Sequence, residues 1–149
     1  MKVSQKATYG IMAALDLTLQ NGSSPVQAKA IAKRQAIPLR FLEQVLHAMK
    51  KAGLVDSLRG AQGGYTLSKK PSDVSLATIV EALDGPLSAA ARGPALRRQR
   101  GQLKPEPLLA DVWERVHQAE LSVLGTVTLG ELAERQRQLD QKRTLMYHI

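Results

Sequence analysis

The 149-residue chain contains no cysteine at all. Disulfide frameworks, cysteine-ligated zinc sites and thiol catalysis are therefore excluded by inventory. Aromatic residues make up only 3% of the sequence, namely Tyr9, Phe41, Tyr65, Trp113 and Tyr147. They are too few and too scattered to form the stacking platforms on which single-stranded bases lie. No run of about 18 apolar residues occurs, and the start, Met1-Lys2-Val3-Ser4, lacks the apolar stretch of a secretory signal. A cytoplasmic protein with no membrane partner is the expectation. Histidine is scarce as well: His47, His117 and His148 lie far apart, with no second His or carboxylate at metalloprotease spacing, so no metal site is expected. No nucleophile with an adjacent base is evident, and the glycines near residue 60 are followed neither by Gly-Lys-Ser/Thr nor directly by a helix. An enzyme is not expected.

What the chain does have is positive charge in one place. Its formal net charge is +8, of which residues 1 to 80 carry +7 and the remainder +1. A polyanionic partner is expected for the first part, while the nearly neutral second part need not touch it. Length and a 44% hydrophobic content allow one compact domain of about 80 residues plus an additional helical part. With single-strand binding disfavoured, duplex DNA is the better partner.

Apolar residues from Ser4 to Leu19 recur at three- and four-residue spacing, predicting an amphipathic helix stopped by Asn21-Gly22. Ser24-Pro25 reads as the start of a short second helix through Val26, Ala28, Ile31 and Ala32. After Ile37-Pro38 a third helix follows. Leu42, Val45, Leu46 and Met49 form its packing stripe, while Arg40, Glu43, Gln44, His47, Lys50 and Lys51 face away, and Gly53 caps its end. Leu54 to Leu58 and Tyr65 to Leu67 are strand candidates around the loop Arg59-Gly60-Ala61-Gln62-Gly63-Gly64. Ser75 caps a further helix ended by Gly85-Pro86. A long stripe through Leu109, Val112, Trp113, Val116 and Val123 and a last helix opened by a capping box, Thr128 to Glu131, complete the chain. The expected fold is mainly α with a small β-hairpin wing: a winged helix-turn-helix DNA-binding domain over 1–86, a flexible basic linker over 87–106 and a helical dimerisation region over 107–149.

Each candidate site residue has a chemical reason. Near the start of a helix lying in the major groove, Arg40 can pair with guanine, Gln44 with adenine, and Glu43 can accept from cytosine. Arg59 suits a narrow minor groove, and Gly60, Gly63 and Gly64 let the backbone come close to phosphates, with an ordinary tight turn carrying one exposed Arg as the bland alternative. Lys2, Lys6, Lys33, Lys50, Lys69 and Lys70 are phosphate candidates or solubilising charge. The run Arg92, Arg97, Arg98 and Arg100 reads first as a solvated loop, with DNA or an acidic ligand as the other reading.

Taken in order, Lys6-Ala7-Thr8-Tyr9-Gly10, Leu15-Asp16, Ile31-Ala32, Phe41 to Leu46, Lys51 to Val55 and Arg59 to Leu67 closely resemble the Rrf-two family of bacterial winged helix-turn-helix transcriptional regulators, the group that includes IscR and NsrR. Ile79 to Leu87 and Val112-Trp113 carry the resemblance through most of the chain. It implies a homodimer whose long helix crosses its mate, with dimer contacts from Leu109, Val112, Trp113, Val116 and Val123, and a repressor acting on a palindromic operator. By the same likeness Glu43 and Gln44 read bases, Arg59 enters the minor groove and Tyr9 braces the first helix near the backbone, or else belongs to the core.

Two departures limit the transfer. Redox-sensing members hold an iron-sulfur cluster with three cysteines between the equivalents of Leu87 and Pro107, often with a His shortly before the Trp. This chain has no cysteine there, and Ala110 stands at the His position. No cofactor is expected, and any effector must be sensed in another way. At the start of the third helix, Pro38 and Arg40 replace the small hydroxyl residues common in relatives, so operator sequence does not carry over. The competing function is a winged helix used for protein contacts without specific DNA binding.

Overall fold

A computed structural model describes residues 3–20, 24–87 and 107–148. Lys2, Asn21-Gly22 and the arginine-rich run at 92–100 lie outside the described residues, as does the expected linker beyond Leu87.

Helix α1 spans Gln5–Leu19. Ser4 caps it by accepting a hydrogen bond from the Ala7 N–H at 3.0 Å, and its own N–H donates to the Asp84 carboxylate at 3.2 Å. The inner face of α1 is built from small residues, Ala7, Gly10, Ala13 and Ala14, all buried. That smallness matters, because a Cβ on Gly10 would overlap the side chain of Leu83. Helices α2 (Ala28–Gln35), α3 (Leu39–Lys51) and α4 (Leu76–Asp84) pack around α1. Leu42, Val45, Leu46 and Met49 of α3 are completely buried, as the sequence stripe requires, together with Ile31, Ile79 and Val80.

Strands β1 (Val55–Leu58) and β2 (Gly64–Leu67) pair antiparallel, with Val55 opposite Leu67 and Leu58 opposite Gly64. This hairpin is the wing. The structure corrects the sequence reading just before α2: Ser24, Pro25 and Val26 do not start the helix, which begins at Ala28. Val26 instead exchanges both backbone hydrogen bonds with Tyr65, at 2.9 and 2.8 Å, and so adds a one-residue third strand to the wing. Local cap propensity loses here because two ladder bonds satisfy the Val26 N–H and C=O more completely than an exposed first turn would.

A 3-10 turn at Pro71–Asp73 leads into α4, whose Ser75 hydroxyl accepts from the Thr78 N–H. The long helix α5 spans Pro107–Thr126 and α6 spans Leu129–Tyr147. Thr128 caps α6, but the Glu131 carboxylate pairs with Arg135 at 2.7 Å, so only one half of the expected capping box forms. Between α5 and α6 the backbone returns to the first part of the chain. Leu76 N–H donates to Val127 C=O at 3.0 Å and Leu129 N–H to Val74 C=O at 2.9 Å. Leu129 is fully buried in the same core as Ile79 and Val45, and Ala133 is buried as well, whereas Leu139 further along α6 is exposed. Among the described residues no helix is long and apolar enough to cross a membrane.

Candidate nucleic-acid interface

Because Leu42, Val45, Leu46 and Met49 anchor α3 from within, the residues between them are forced outward. Arg40, Glu43, Gln44 and His47 are all exposed, so the polar side of the helix is free of protein contacts that would hide it. The far end of α3 is fixed to the wing: Lys50 Nζ donates to the Ser57 hydroxyl of β1 at 2.6 Å. Lys50, a phosphate candidate from the sequence, thus also serves to hold helix and hairpin together. Gln27, at the start of α2, reaches the carbonyl of Ala61 in the wing loop at 3.5 Å.

Arg59 is exposed where β1 leaves the hairpin, next to Leu58, an apolar residue that is 60% exposed. The sequence reading did not single out Leu58, and its exposed face at the last position of β1 is visible only once the register is known. The glycines have separate tasks. Gly63 is buried, and a Cβ there would strike the carbonyl of Leu58. Gly64 has φ +150 and lies so near the Val26 backbone that a Cβ would come within 2.5 Å. The close approach these two permit is to the protein's own chain, whereas Gly60 sits in open space at the tip.

Tyr9 is half-buried at the crossing of α1 and α3, its ring edge-on to Phe41 with centroids 5.4 Å apart. Its hydroxyl accepts from Gln5 Nε2 at 2.8 Å. Lys33 is exposed on α2 and Lys6 half-buried on α1.

Sequence reading missed a buried polar cluster that sets the angle between α1 and α2. Asp16 is 2% exposed and accepts from Arg34 through both oxygens, at 2.9 and 2.8 Å, and from Gln35 Nε2 at 3.0 Å. The hydrogen bond to Asp16, helped by charge attraction and opposed by desolvation, holds the Arg34 guanidinium above its ordinary range. The signal was present in the sequence: a carboxylate between Leu15 and Leu17, on a helix with few polar residues, demands a cationic partner.

On α5, Leu109, Val112, Trp113, Val116 and Val123 are all exposed, Trp113 to 63%. Val116, Ala119, Val123 and Leu124 line an apolar groove along the same helix. A run of large apolar groups this continuous is uncommon on the surface of a chain that acts alone.

Comparison with known proteins fits this architecture. The Rrf2 family model, described as an iron-dependent transcriptional regulator, matches residues 3–135. The HTH-type transcriptional regulator CymR of Bacillus subtilis is 34% identical over 133 residues, covering 89% of this chain and 90% of that one. The HTH-type transcriptional regulator IscR of Vibrio atlanticus is 36% identical, covering 89% and 75%. Among solved structures, B. subtilis CymR, described as a global cysteine regulator, superposes with a TM-score of 0.77 at 32% identity over 91% of this chain and 98% of that chain. T. potens IscR gives 0.71 at 35% identity over 91% and 88%. The iron in the family description does not suit the donor set found here. The sequence offers no thiolate, and among the described residues no group of three or more His, Cys, Asp or Glu is placed to hold a metal.

Proposed function

Since the chain belongs to the Rrf2 family of transcriptional regulators, we propose that it binds duplex DNA sequence-specifically as a homodimer and represses transcription from a palindromic operator in the bacterial cytoplasm. The observation that carries this reading is the division of α3: four apolar side chains sealed inside, and Arg40, Glu43 and Gln44 outside on the helix that is tied to the wing. In the major groove Arg40 pairs with guanine, Gln44 with adenine, and Glu43 selects cytosine while repelling phosphate. Arg59 enters the adjoining minor groove, where concentrated negative potential favours a guanidinium, with Gly60 at the tip. Lys2, Lys6, Lys33 and Lys50 neutralise phosphates and set register without reading sequence. With no thiolate for a cluster, regulation by any effector runs through other groups.

The homodimer forms by burying the exposed stripe of α5 against its copy. Trp113→Glu places a carboxylate at the most exposed of the five stripe residues and is expected to give a monomer by light scattering while leaving the helical core intact. Operator affinity should fall with it, because one reading unit makes half the contacts.

Selection from random duplexes with the purified protein tests the whole reading. It should recover a two-fold symmetric site whose half-sites lie about one helical turn apart, roughly 34–36 Å. If each copy neutralises about four phosphates through these lysines, the logarithm of the affinity should fall with that of salt at a slope of about −7. Absence of any enriched duplex would instead favour a winged helix devoted to protein contacts.

A further inference from the structure

A cavity of about 350 Å³ opens between the end of α1, the base of the wing and α6. Thr18, Leu67, Lys69, Pro71, Gly130, Ala133 and Arg137 line it. On α6 the residues facing it follow helical spacing, and two of them, Gly130 and Ala133, are among the smallest available. Gly130 lets α6 lie flush on the Pro71–Asp73 turn, where a Cβ would already come within 3.2 Å of Ser72 N. One turn further, Ala133 also belongs to the lining and is itself fully buried.

The lining decides the chemistry of an occupant. Leu67 and Pro71 offer an apolar floor, and Thr18 already spends its hydroxyl proton on Ala14 C=O at 2.9 Å. Among the described residues the charged groups of the lining are Lys69 and Arg137, with no carboxylate among them. Arg137 has Glu134 at 3.9 Å along the helix surface, and its guanidinium carries five donors in a fixed fork, enough for several acceptors at once. Two cations over an apolar floor, in a space at the small end of ligand sites, fit a small organic carboxylate.

We infer that this cavity is a binding site for a small organic carboxylate, held by Lys69 and Arg137 with its apolar part on Leu67 and Pro71. Lys69 follows the end of β2 and Arg137 belongs to α6, so a bound anion joins the base of the wing to the C-terminal helix. Occupancy would thereby fix how the wing is presented to DNA. This last consequence rests on the DNA-binding reading, and the binding site itself does not.

The test uses the full chain and benzoate, with benzamide as its neutral counterpart, in saturation-transfer NMR without DNA. Benzoate should bind and benzamide should be weaker by about tenfold, since only the acid gains charge-assisted bonds. The double variant Lys69→Gln, Arg137→Gln should lose benzoate binding, while Lys70→Gln, whose side chain is outside the lining, should keep it. Both altered residues are exposed, so thermal melting should match the parent and separate lost binding from lost folding. Equal binding of acid and amide, binding unchanged in the double variant, or no benzoate binding at about 10 mM would overturn the assignment. Because no DNA enters this measurement, failure of the operator selection would leave the site standing, and failure here would leave the operator reading standing.

Discussion

Replacing Arg34 with alanine is expected to destabilise the protein by about 3 kcal/mol, lowering its melting temperature by roughly 6–12 °C. The cost comes less from the lost pair than from what remains. Asp16 is 2% exposed, so without Arg34 its negative charge stays buried with only the Gln35 amide to solvate it. The converse change, Asp16→Ala, should be milder, at about 1 kcal/mol, because Arg34 is 39% exposed and water takes over its donors. It follows that the double variant Asp16→Ala, Arg34→Ala should be more stable than Arg34→Ala alone. Thermal melting of the three variants checks the order, and an Arg34→Ala protein as stable as the parent would show that the carboxylate is not desolvated. Arg34→Lys should fall between, since an ammonium cannot reproduce the two parallel bonds that Arg34 makes to the two carboxylate oxygens. Since α2 leads directly into α3, loosening this joint should also weaken DNA binding at temperatures where the fold survives.

Arg59→Ala is expected to lower operator affinity about 30-fold, equivalent to about 2 kcal/mol, with the wing intact. Arg59 is exposed and makes no contact that the hairpin needs, whereas Gly63→Ala would force a Cβ into the Leu58 carbonyl and disturb the wing itself. Comparing the two separates loss of one guanidinium from loss of the element that carries it. Glu43→Ala should behave differently from both. On the proposed reading it removes a group that repels phosphate and accepts from the cytosine amine, so affinity for arbitrary duplexes should hold or rise while discrimination among base pairs narrows. Fluorescence anisotropy on the selected operator and on variants at single positions distinguishes the outcomes. An Arg59→Ala protein with unchanged operator affinity would remove the wing from the interface.

Much of this was written in the sequence because periodic burial dominates a small helical unit. The stripe of α3 was legible from Leu42, Val45, Leu46 and Met49, and with it the outward direction of Arg40, Glu43 and Gln44. Caps at Ser75 and Thr128 were legible for the same local reason, a hydroxyl one residue before an amphipathic run. What sequence could not display were contacts between distant segments. Ser24-Pro25 has every local mark of a helix start, yet Val26 is claimed by Tyr65, 39 positions away. Gly63 and Gly64 read as residues for approaching phosphate, and only the hairpin register reveals that their missing side chains make room for Leu58 and Val26. The partner of Asp16 was likewise invisible, because helical spacing identifies a buried position without naming what faces it. The clustering of Lys69 and Arg137 around one hollow depends on α6 folding back, which no local pattern encodes.

The antiparallel stitch between Val74–Leu76 and Val127–Leu129 has a further consequence for the DNA. In the proposed dimer, helices attached in this way would act as a rigid strut, and the pair would present its two reading surfaces at a fixed phase around the duplex. Each base pair added between half-sites turns one of them by about 34–36° relative to the other. A swinging tether would absorb that rotation, whereas a strut keyed into the core by Leu129 would transmit it as torsional strain, so a dimer of this build is expected to tolerate little change in spacer length.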